Sequence, residues 1–180
     1  IEKWDLENDV TSIVESQTVS CRVRAGPMLS GSGDSNEGTP ENENTEVKTL
    51  IDDLHSKFGE IYTDGKPQSY ESLTSRPRNI YFVGGASRNK SIIHKMASIM
   101  GATEGNYQVE IPNACALGGA YKASWSLECE SRQKWVHFND YLNEKYDFDD
   151  VDEFKVDDKW LNYIPAIGLL SKLESNLDQN

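Results

Sequence analysis

The sequence predicts an α/β fold class, and three observations support this. The chain has 180 residues, 37% of them hydrophobic, which is enough apolar mass for one buried core. Between Ile80 and Cys129 the residue pattern alternates strand, helix, strand, helix. Apolar residues at helical spacing come before and after this unit. We therefore expect residues 1–180 to form one unit of mixed helices and strands.

The first third of the chain predicts two helices separated by a polar insertion. Apolar residues from Leu6 to Cys21 recur every three or four positions, which predicts a helix that ends before Gly26-Pro27. Residues 30–46 have five acids, no base and no apolar side chain, so we expect an acidic surface insertion or disordered loop without a function. The spacing of Val47 to Phe58 predicts a second helix, with Gly59 as its left-handed C-terminal cap.

The middle of the chain predicts the strands and their connections. The β-branched and aromatic run Ile80–Val83 predicts a short buried strand that ends at Gly84-Gly85. A helix is predicted from Asn89 to the capping Gly101, and the alternation over Tyr107–Ile111 indicates a second strand. Small residues from Asn113 to about Cys129 predict the next helix.

The last third is expected to be mostly helical with one acidic loop. Trp135 and Tyr141 suggest a partly buried helix. Residues 144–158 contain eight acids against two bases and indicate a solvated acidic loop, which lacks the glycine and the spacing of a calcium-binding EF-hand. The pattern over 160–177 predicts a helix with a break near Pro165.

The charge distribution argues against some classes of partner. The formal net charge of −12 is unfavourable for binding nucleic acid or an anionic membrane, and no apolar run is long enough to span a bilayer. The two acidic stretches, 30–46 and 144–158, hold nearly all of this excess. The window 76–135 has eight bases against four acids, so this part of the chain can accept an anion.

The cysteines and the first residues bear on the compartment. Cys21, Cys115 and Cys129 are odd in number and lack ligand spacing, so they indicate neither a disulfide framework nor a metal site. No signal peptide is visible, and a reducing cytosol is therefore expected. The chain begins at Ile1 without an initiator Met, which is consistent with a piece of a longer protein.

Two glycine pairs carry the chemical information in the sequence. Gly84 and Gly85 end a buried strand, where backbone without side chains lets a flat ring or a phosphate approach before a helix N-terminus. Two alternatives, which are the more common reasons for such residues, stay open at this point: glycine for steric reasons in the turn and Asn89 as a simple helix N-cap. The pair Gly118-Gly119 lies inside a predicted helix, and we expect it to allow close packing against a neighbouring backbone rather than ligand contact.

The order and spacing of these motifs resemble a known family. Gly84-Gly85-Ala86-Ser87-Arg88-Asn89, followed about 25 residues later by Ala114-Cys115-Ala116-Leu117-Gly118-Gly119-Ala120-Tyr121, resembles the C-terminal domain of the FGGY carbohydrate kinases. The segment from Val14 to Gly26 is similar to the one that precedes this motif. The resemblance is closest to the fungal xylulokinase branch of the family.

The resemblance implies a fold, an activity and site residues. The implied fold is a partial actin-like (ribonuclease H-like) ATPase domain, the second lobe of a two-domain sugar kinase. The implied activity is transfer of the γ-phosphoryl group of ATP to D-xylulose, with ATP and Mg²⁺ as cofactors. By the same resemblance Gly84, Gly85, Ala86 and Asn89 bind the nucleotide, and the helix from Asn113 braces the glycine turn.

The resemblance also implies what must come from elsewhere. The phosphate-holding turn and the catalytic base of the family belong to the N-terminal lobe, so no catalytic residue and no metal ligand is assigned to this chain, and the chain alone is expected to be inactive. The implied partners are that lobe, the sugar and ATP. The alternatives are a non-catalytic actin-like or general α/β interaction module and a kinase for ribulose or glycerol.

Overall fold

The structure contains helices and strands in the mixed order that the fold class requires. The computed structural model describes residues 6–30, 41–111, 113–146 and 151–177. Over these residues the helices are α1 (Leu6–Ser30), α2 (Glu41–Phe58), α3 (Tyr70–Thr74), α4 (Lys90–Met100), α5 (Ala114–Arg132), α6 (Phe138–Lys145) and α7 (Ile164–Leu177). The strands are β1 (Tyr62–Thr63), β2 (Lys66–Pro67), β3 (Asn79–Val83), β4 (Gly105–Val109) and β5 (Val151–Phe154). The α/β prediction is confirmed at this level.

A three-stranded sheet organises the middle of the chain. Its order is β3-β4-β5, with β3 parallel to β4 and β5 antiparallel to β4. The connection from β3 to β4 runs through α4, as a parallel pair of strands requires. One face of the sheet packs on α4, where Phe82 lies against Ile93 and Ala97. β1 and β2 form a separate antiparallel hairpin.

The larger core lies among α1, α2, α3 and α7. It buries Val19 and Val23 of α1, Ile51 and Leu54 of α2, and Ile164 of α7, together with neighbouring apolar side chains. These residues repeat every three or four positions along each helix, so one stripe per helix is removed from water. The core therefore joins α1, α2, α3 and α7, and Ile99 of α4 also lies in it.

A carboxylate joins α1 to α4 and to the turn before α7. Oε1 of Glu15 accepts a hydrogen bond from Lys95 Nζ at 2.9 Å and another from the Tyr163 hydroxyl at 2.7 Å. The pKa of Glu15 is held below its ordinary value, most strongly by the hydrogen bond from Lys95 and next by the hydrogen bond from Tyr163. Three elements that are distant in sequence thus share one acceptor oxygen.

A buried guanidinium makes a second link to the same region. Arg22 is 5% exposed, donates from Nη1 to the carbonyl of Trp160 at 2.7 Å, and lies 4.3 Å above the Trp160 ring. Among the described residues, Nε and Nη2 of Arg22 have no acceptor. Desolvation, with a smaller contribution from the charge of Arg76, lowers the pKa of Arg22 to about 9. The stacking on Trp160 therefore requires burial of a charged guanidinium, which is energetically unfavourable.

Several local predictions are confirmed. α2 ends at Phe58, and Gly59 follows with φ of 78°, as a left-handed cap. β3 contains the predicted strand Ile80–Val83, although only Phe82 of it is buried, because Tyr81 and Val83 lie on the face opposite α4; α4 is followed by Gly101 with φ of 61°. α5 covers the predicted helix from Asn113, and α7 starts at Ile164 with Pro165 in its first turn, after a short 3₁₀ turn over Leu161–Tyr163.

The predicted end of the first helix is wrong. α1 continues through Gly26 and Pro27 to Ser30. Gly26 is buried against α3, and a Cβ at Gly26 would lie 2.3 Å from the Ser72 carbonyl oxygen. This close approach supplies packing that offsets the hydrogen bond that Pro27 cannot donate.

The acidic insertion predicted over residues 30–46 is too long at both ends. Ser30 belongs to α1, and residues 41–46 already form the start of α2. The rest of that prediction, 31–40, lies outside the described residues. The helical part is stabilised by the buried stripe that begins at Val47.

The acidic loop predicted over residues 144–158 is also wrong in part. Glu144 and Lys145 end α6, and Val151–Phe154 forms β5 on β4. Phe154 packs against Phe82, with ring centroids 5.7 Å apart, so an apolar contact compensates for placing acidic neighbours in a strand. Residues 147–150 lie outside the described residues.

Three smaller differences concern boundaries and orientation. β4 is Gly105–Val109, two residues earlier than predicted, because its register follows β3. Tyr141 is buried in α6 as expected, whereas Trp135 precedes that helix and is 73% exposed. Within the described residues, no helix has both the length and the apolar character needed to cross a bilayer.

Candidate functional site

The glycine turn lies at the carboxyl ends of the two parallel strands. Val83 is the last residue of β3 and pairs in register with Val109, the last residue of β4. The turn that follows contains Gly84, a 3₁₀ segment over Gly85–Arg88, and Asn89, after which α4 begins. In open α/β sheets, ligands bind outside this edge of the sheet. The predicted site residues are thus placed together at a position that suits ligand binding.

The backbone of the turn is open to approach. A Cβ placed on Gly84 or on Gly85 would meet no atom within 4 Å among the described residues, and Ala86 is exposed. Gly84 has φ of 96° and ψ of −171°, a conformation that is essentially restricted to glycine. Gly84 is therefore required by the backbone itself, whereas at Gly85 the small size leaves free space above the turn.

Ser87 fixes the shape of this turn, a role that sequence analysis did not assign. Its side chain is 4% exposed, and Oγ donates to the carbonyl oxygen of Gly84 at 2.6 Å. The Ser87 backbone N–H donates to the same oxygen at 3.2 Å. A serine three residues after a strand-ending glycine is a recognisable signal for such a turn. Ser87 thus positions the glycines without being exposed to a ligand.

Asn89 is the N-cap of α4. Its Oδ1 accepts hydrogen bonds from the backbone N–H groups of Ser91 at 3.1 Å and Ile92 at 3.3 Å. The capping alternative is therefore confirmed, and the side-chain oxygen is already engaged. Two Nδ2 hydrogens remain as the donors that the exposed side chain could offer to a ligand. The capping role and a role in binding are compatible.

The two charged residues of the turn segment itself, from Gly84 to Lys90, are both cations. Arg88 closes the 3₁₀ segment, Lys90 opens α4, and both are exposed. Neither side chain makes an ion pair within the described ranges, whereas Lys95 farther along α4 is paired with Glu15. No carboxylate lies between Gly84 and Lys90. An anionic group would therefore be favoured next to the turn, and the turn offers no carboxylate ligand for a metal ion.

The predicted close packing at Gly118-Gly119 of α5 is wrong, and the described residues show no α5 side chain buried against the glycine turn that this helix was expected to brace. Among the described residues, none of α5 is buried, and a Cβ on Gly118 or Gly119 would meet no atom within 4 Å. Close packing therefore does not explain these glycines in the described part of the chain. Asn113 begins the helix in a left-handed conformation at the same sheet edge as the glycine turn, without a side-chain cap. The two segments share an edge but leave open space beside α5.

A groove of about 500 Å³ lies between α4 and residues 155–159. Its walls include Ser91, His94, Lys95 and Ser98 of α4. The Ser98 hydroxyl donates to the Asp157 carbonyl at 2.6 Å, which closes one end. The exposed His94 stacks on Phe154 with ring centroids 5.0 Å apart. The groove contains none of the predicted site residues.

Comparison with known proteins identifies relatives of one kind. The chain is 40% identical over 175 residues to the xylulose kinase of Saccharomyces cerevisiae, an alignment that covers 96% of this chain and 27% of the relative. It is 34% identical over 152 residues to the probable D-xylulose kinase A of Aspergillus terreus, covering 83% of this chain and 20% of the relative. It is 43% identical over 77 residues to the D-xylulose kinase A of Aspergillus niger, covering 42% of this chain and 13% of the relative.

The chain spans about a quarter or less of the length of these curated relatives. No family model and no solved structure matches it. The similarity to the yeast protein nevertheless extends over nearly the whole chain and includes the helices as well as the glycine turn. The chain belongs to the family of the fungal xylulose kinases.

Proposed function

We propose that this chain is the nucleotide-binding part of an ATP-dependent xylulokinase, within the second lobe of an actin-like kinase. The observation that carries the proposal is the open turn at Gly84 and Gly85, next to two unpaired cations among the described residues. The relatives named as xylulose kinases support D-xylulose, rather than ribulose or glycerol, as the sugar. The reaction is transfer of the γ-phosphoryl group of ATP to the terminal hydroxyl of the sugar, which gives D-xylulose 5-phosphate and ADP.

The turn contributes binding and orientation in this proposal. Backbone without side chains at Gly84 and Gly85 leaves room for the adenosine to lie against the strand end. Arg88, Lys90 and the N-terminus of α4 favour the negative charge of the phosphates. Since phosphoryl transfer depends on positioning and on charge stabilisation, these groups help to hold the nucleotide in line for attack.

The remaining machinery is proposed to lie in the rest of the kinase, its N-terminal lobe. Proton removal from the sugar hydroxyl needs a base within hydrogen-bond reach, and the turn provides none. Magnesium, which neutralises phosphate charge in such reactions, would likewise take its ligands from the nucleotide and from the other lobe. We therefore propose a cytoplasmic protein whose 180 residues alone bind nucleotide but do not turn over sugar.

Calorimetric titration with ATP tests the nucleotide site directly. Gly85→Val places a branched side chain in the open space, and we expect about a 10-fold or larger loss of affinity. Ala123→Val adds apolar bulk to an exposed position of α5 and serves as the matched control, with affinity within about 2-fold of the parent chain. Circular dichroism establishes that each variant is folded.

The outcomes separate this function from the alternative of a non-catalytic interaction module. If the folded parent chain releases no heat with ATP or ADP, the alternative is favoured, in which the glycines serve only the backbone conformation. Unchanged ATP affinity in Gly85→Val rules out the proposed contact. Loss of binding in both variants would also count against it, because the effect would then not be specific to the turn.

A further inference from the structure

The groove between α4 and residues 155–159 has the size of a small-molecule site. Its volume of about 500 Å³ falls within the range of about 300–1,000 Å³ that is usual for such sites. Seven of its eight lining residues are polar or charged, Val156 being the exception, and none of the nucleotide-binding residues proposed above is among them. We call this feature the α4 groove, and its lining suits a polar ligand.

The two walls of the α4 groove are held together by contacts at two places. The Ser98 hydroxyl donates to the carbonyl oxygen of Asp157 at 2.6 Å, and the backbone N–H of Lys159 donates to the carbonyl oxygen of Ser98 at 3.0 Å. One turn earlier on α4, the ring of His94 stacks on that of Phe154 in β5, with centroids 5.0 Å apart and planes 8° from parallel. The groove is therefore preformed, and a ligand does not have to order its walls.

The lining of the α4 groove has more cations than carboxylates. Three lysines line it, against the single carboxylate of Asp157. Lys95 is paired with Glu15 at 2.9 Å, whereas the exposed Lys155 and Lys159 make no ion pair within the described part of the chain. Because these two lysines outnumber Asp157, the groove favours a ligand that carries an anionic group.

We propose that the α4 groove binds a pentose phosphate. A phosphate group accepts charge-assisted hydrogen bonds from lysine, and the carboxylate of Asp157 and the hydroxyl of Ser91 are suited to the hydroxyl groups of a sugar. Phosphate alone leaves Asp157 beside a like charge, and an uncharged sugar leaves both exposed lysines without an anion. The pentose is chosen because D-xylulose 5-phosphate is the product of the proposed reaction, so this choice rests on the proposed function. Binding here lets the kinase sense its product away from the glycine turn.

Nuclear magnetic resonance of the isotope-labelled chain tests the site residue by residue. D-xylulose 5-phosphate, inorganic phosphate and D-xylulose are titrated separately, at constant ionic strength and without nucleotide. We expect saturable shifts of the amide signals of His94 and residues 155–159, with an affinity at least about 5-fold higher for the pentose phosphate than for inorganic phosphate, and none with D-xylulose. The double variant Lys155→Gln, Lys159→Gln should bind the pentose phosphate at least about 5-fold more weakly. The control, Lys48→Gln with Lys57→Gln, removes two exposed charges from α2 and should change the affinity by less than about 2-fold.

The contrary outcomes are distinguishable. Absence of shifts in the groove, or shifts confined to residues 84–90, would overturn the proposal, and the second result would assign the phosphate to the glycine turn. Equal affinities for inorganic phosphate and the pentose phosphate would mean an adventitious ion only, and equal weakening by the control lysines would mean an unspecific charge effect; both also overturn it.

A second variant decides if the double lysine variant is not folded by circular dichroism. Asp157→Asn should weaken binding of the pentose phosphate and not that of inorganic phosphate, and an unchanged ratio of the two affinities is the contrary result. Gly85→Val should leave the titration of the α4 groove unchanged. Failure of the nucleotide site and failure of the α4 groove therefore give different results.

Discussion

The shared carboxylate of Glu15 gives the most detailed prediction. Glu15→Gln keeps the shape of the side chain but removes its charge, so Lys95 loses an ion pair and the Tyr163 hydroxyl loses a charged acceptor. Both bonds end on one oxygen and join α1 to α4 and to the turn before α7. We expect the variant to fold with a lower free energy of unfolding.

The expected loss in free energy of unfolding follows from the strengths of the two interactions and from their exposure to solvent. The side chains of Glu15 and Lys95 are 31% and 35% exposed, so the ion pair contributes no more than about 1 kcal/mol. A hydrogen bond from a hydroxyl to a carboxylate contributes about 1.5–3 kcal/mol, of which the neutral amide oxygen recovers a part. The expected loss is therefore about 1–2 kcal/mol, which lowers the midpoint of urea unfolding by about 0.5–1 M.

The pH dependence of this loss has a definite sign. The folded state lowers the pKa of Glu15, chiefly through Lys95 and then Tyr163, so the stabilisation is present above the ordinary value of 4.5 and is lost as pH falls through the folded value. The hydrogen bond to Glu15 raises the pKa of Lys95, so that part is present below 10.5 and is lost as pH rises through the folded value. The parent chain and Glu15→Gln should differ most between these limits.

Urea unfolding followed by circular dichroism at pH 7 and at pH 3 measures the effect. Glu128→Gln is the control, because Glu128 pairs with Arg132 one turn away on the exposed helix α5 and should have a smaller effect on the free energy of unfolding. A loss at pH 7 no greater than that of the control would refute the reasoning. So would a loss that is undiminished at pH 3.

The other predictions concern single packing or backbone features, each checked by thermal or urea unfolding. Gly84→Ala should cost about 1–3 kcal/mol because φ is 96°, whereas Gly85→Ala should stay within about 0.5 kcal/mol, and equal effects would contradict this. Gly26→Ala should cost about 1–3 kcal/mol, because its Cβ would overlap the Ser72 carbonyl oxygen at 2.3 Å; a stabilised variant, as helix propensity alone predicts, would show that α3 can shift. Asn89→Ala should cost about 1 kcal/mol through loss of the N-cap, and an unchanged free energy of unfolding would mean that another group caps the helix.

The helices and their ends were predictable because local interactions determine them. Periodic apolar residues identified α2 and α4, and the left-handed glycines Gly59 and Gly101 marked their ends. Asn89 could be recognised as an N-cap for the same reason, since its partners are within three residues. The glycine turn was also located from the sequence, because a β-branched and aromatic run followed by two glycines indicates a strand that ends in a turn.

Strand partners and close contacts could not be predicted in this way. β5 lies within an acidic run whose composition favours a loop, and its pairing with β4 is a long-range interaction that composition does not encode. The continuation of α1 past Pro27 depends on α3, which packs against Gly26. The buried hydrogen bond of Ser87 and the open space at Gly118 likewise depend on which neighbours are present.

The sequence by itself therefore determined the strand, helix, strand, helix order from β3 to α5, the position of the glycine turn and the family resemblance. The tertiary structure alone decided that Gly84 and Gly85 face open space, that Ser87 hydrogen-bonds to the Gly84 carbonyl within the turn, and that Tyr81 and Val83 are exposed. The physical reason is the separation along the sequence over which each interaction acts. Capping and periodicity act over three or four residues, whereas pairing, packing and exposure depend on segments that are far apart along the chain and meet only when it folds.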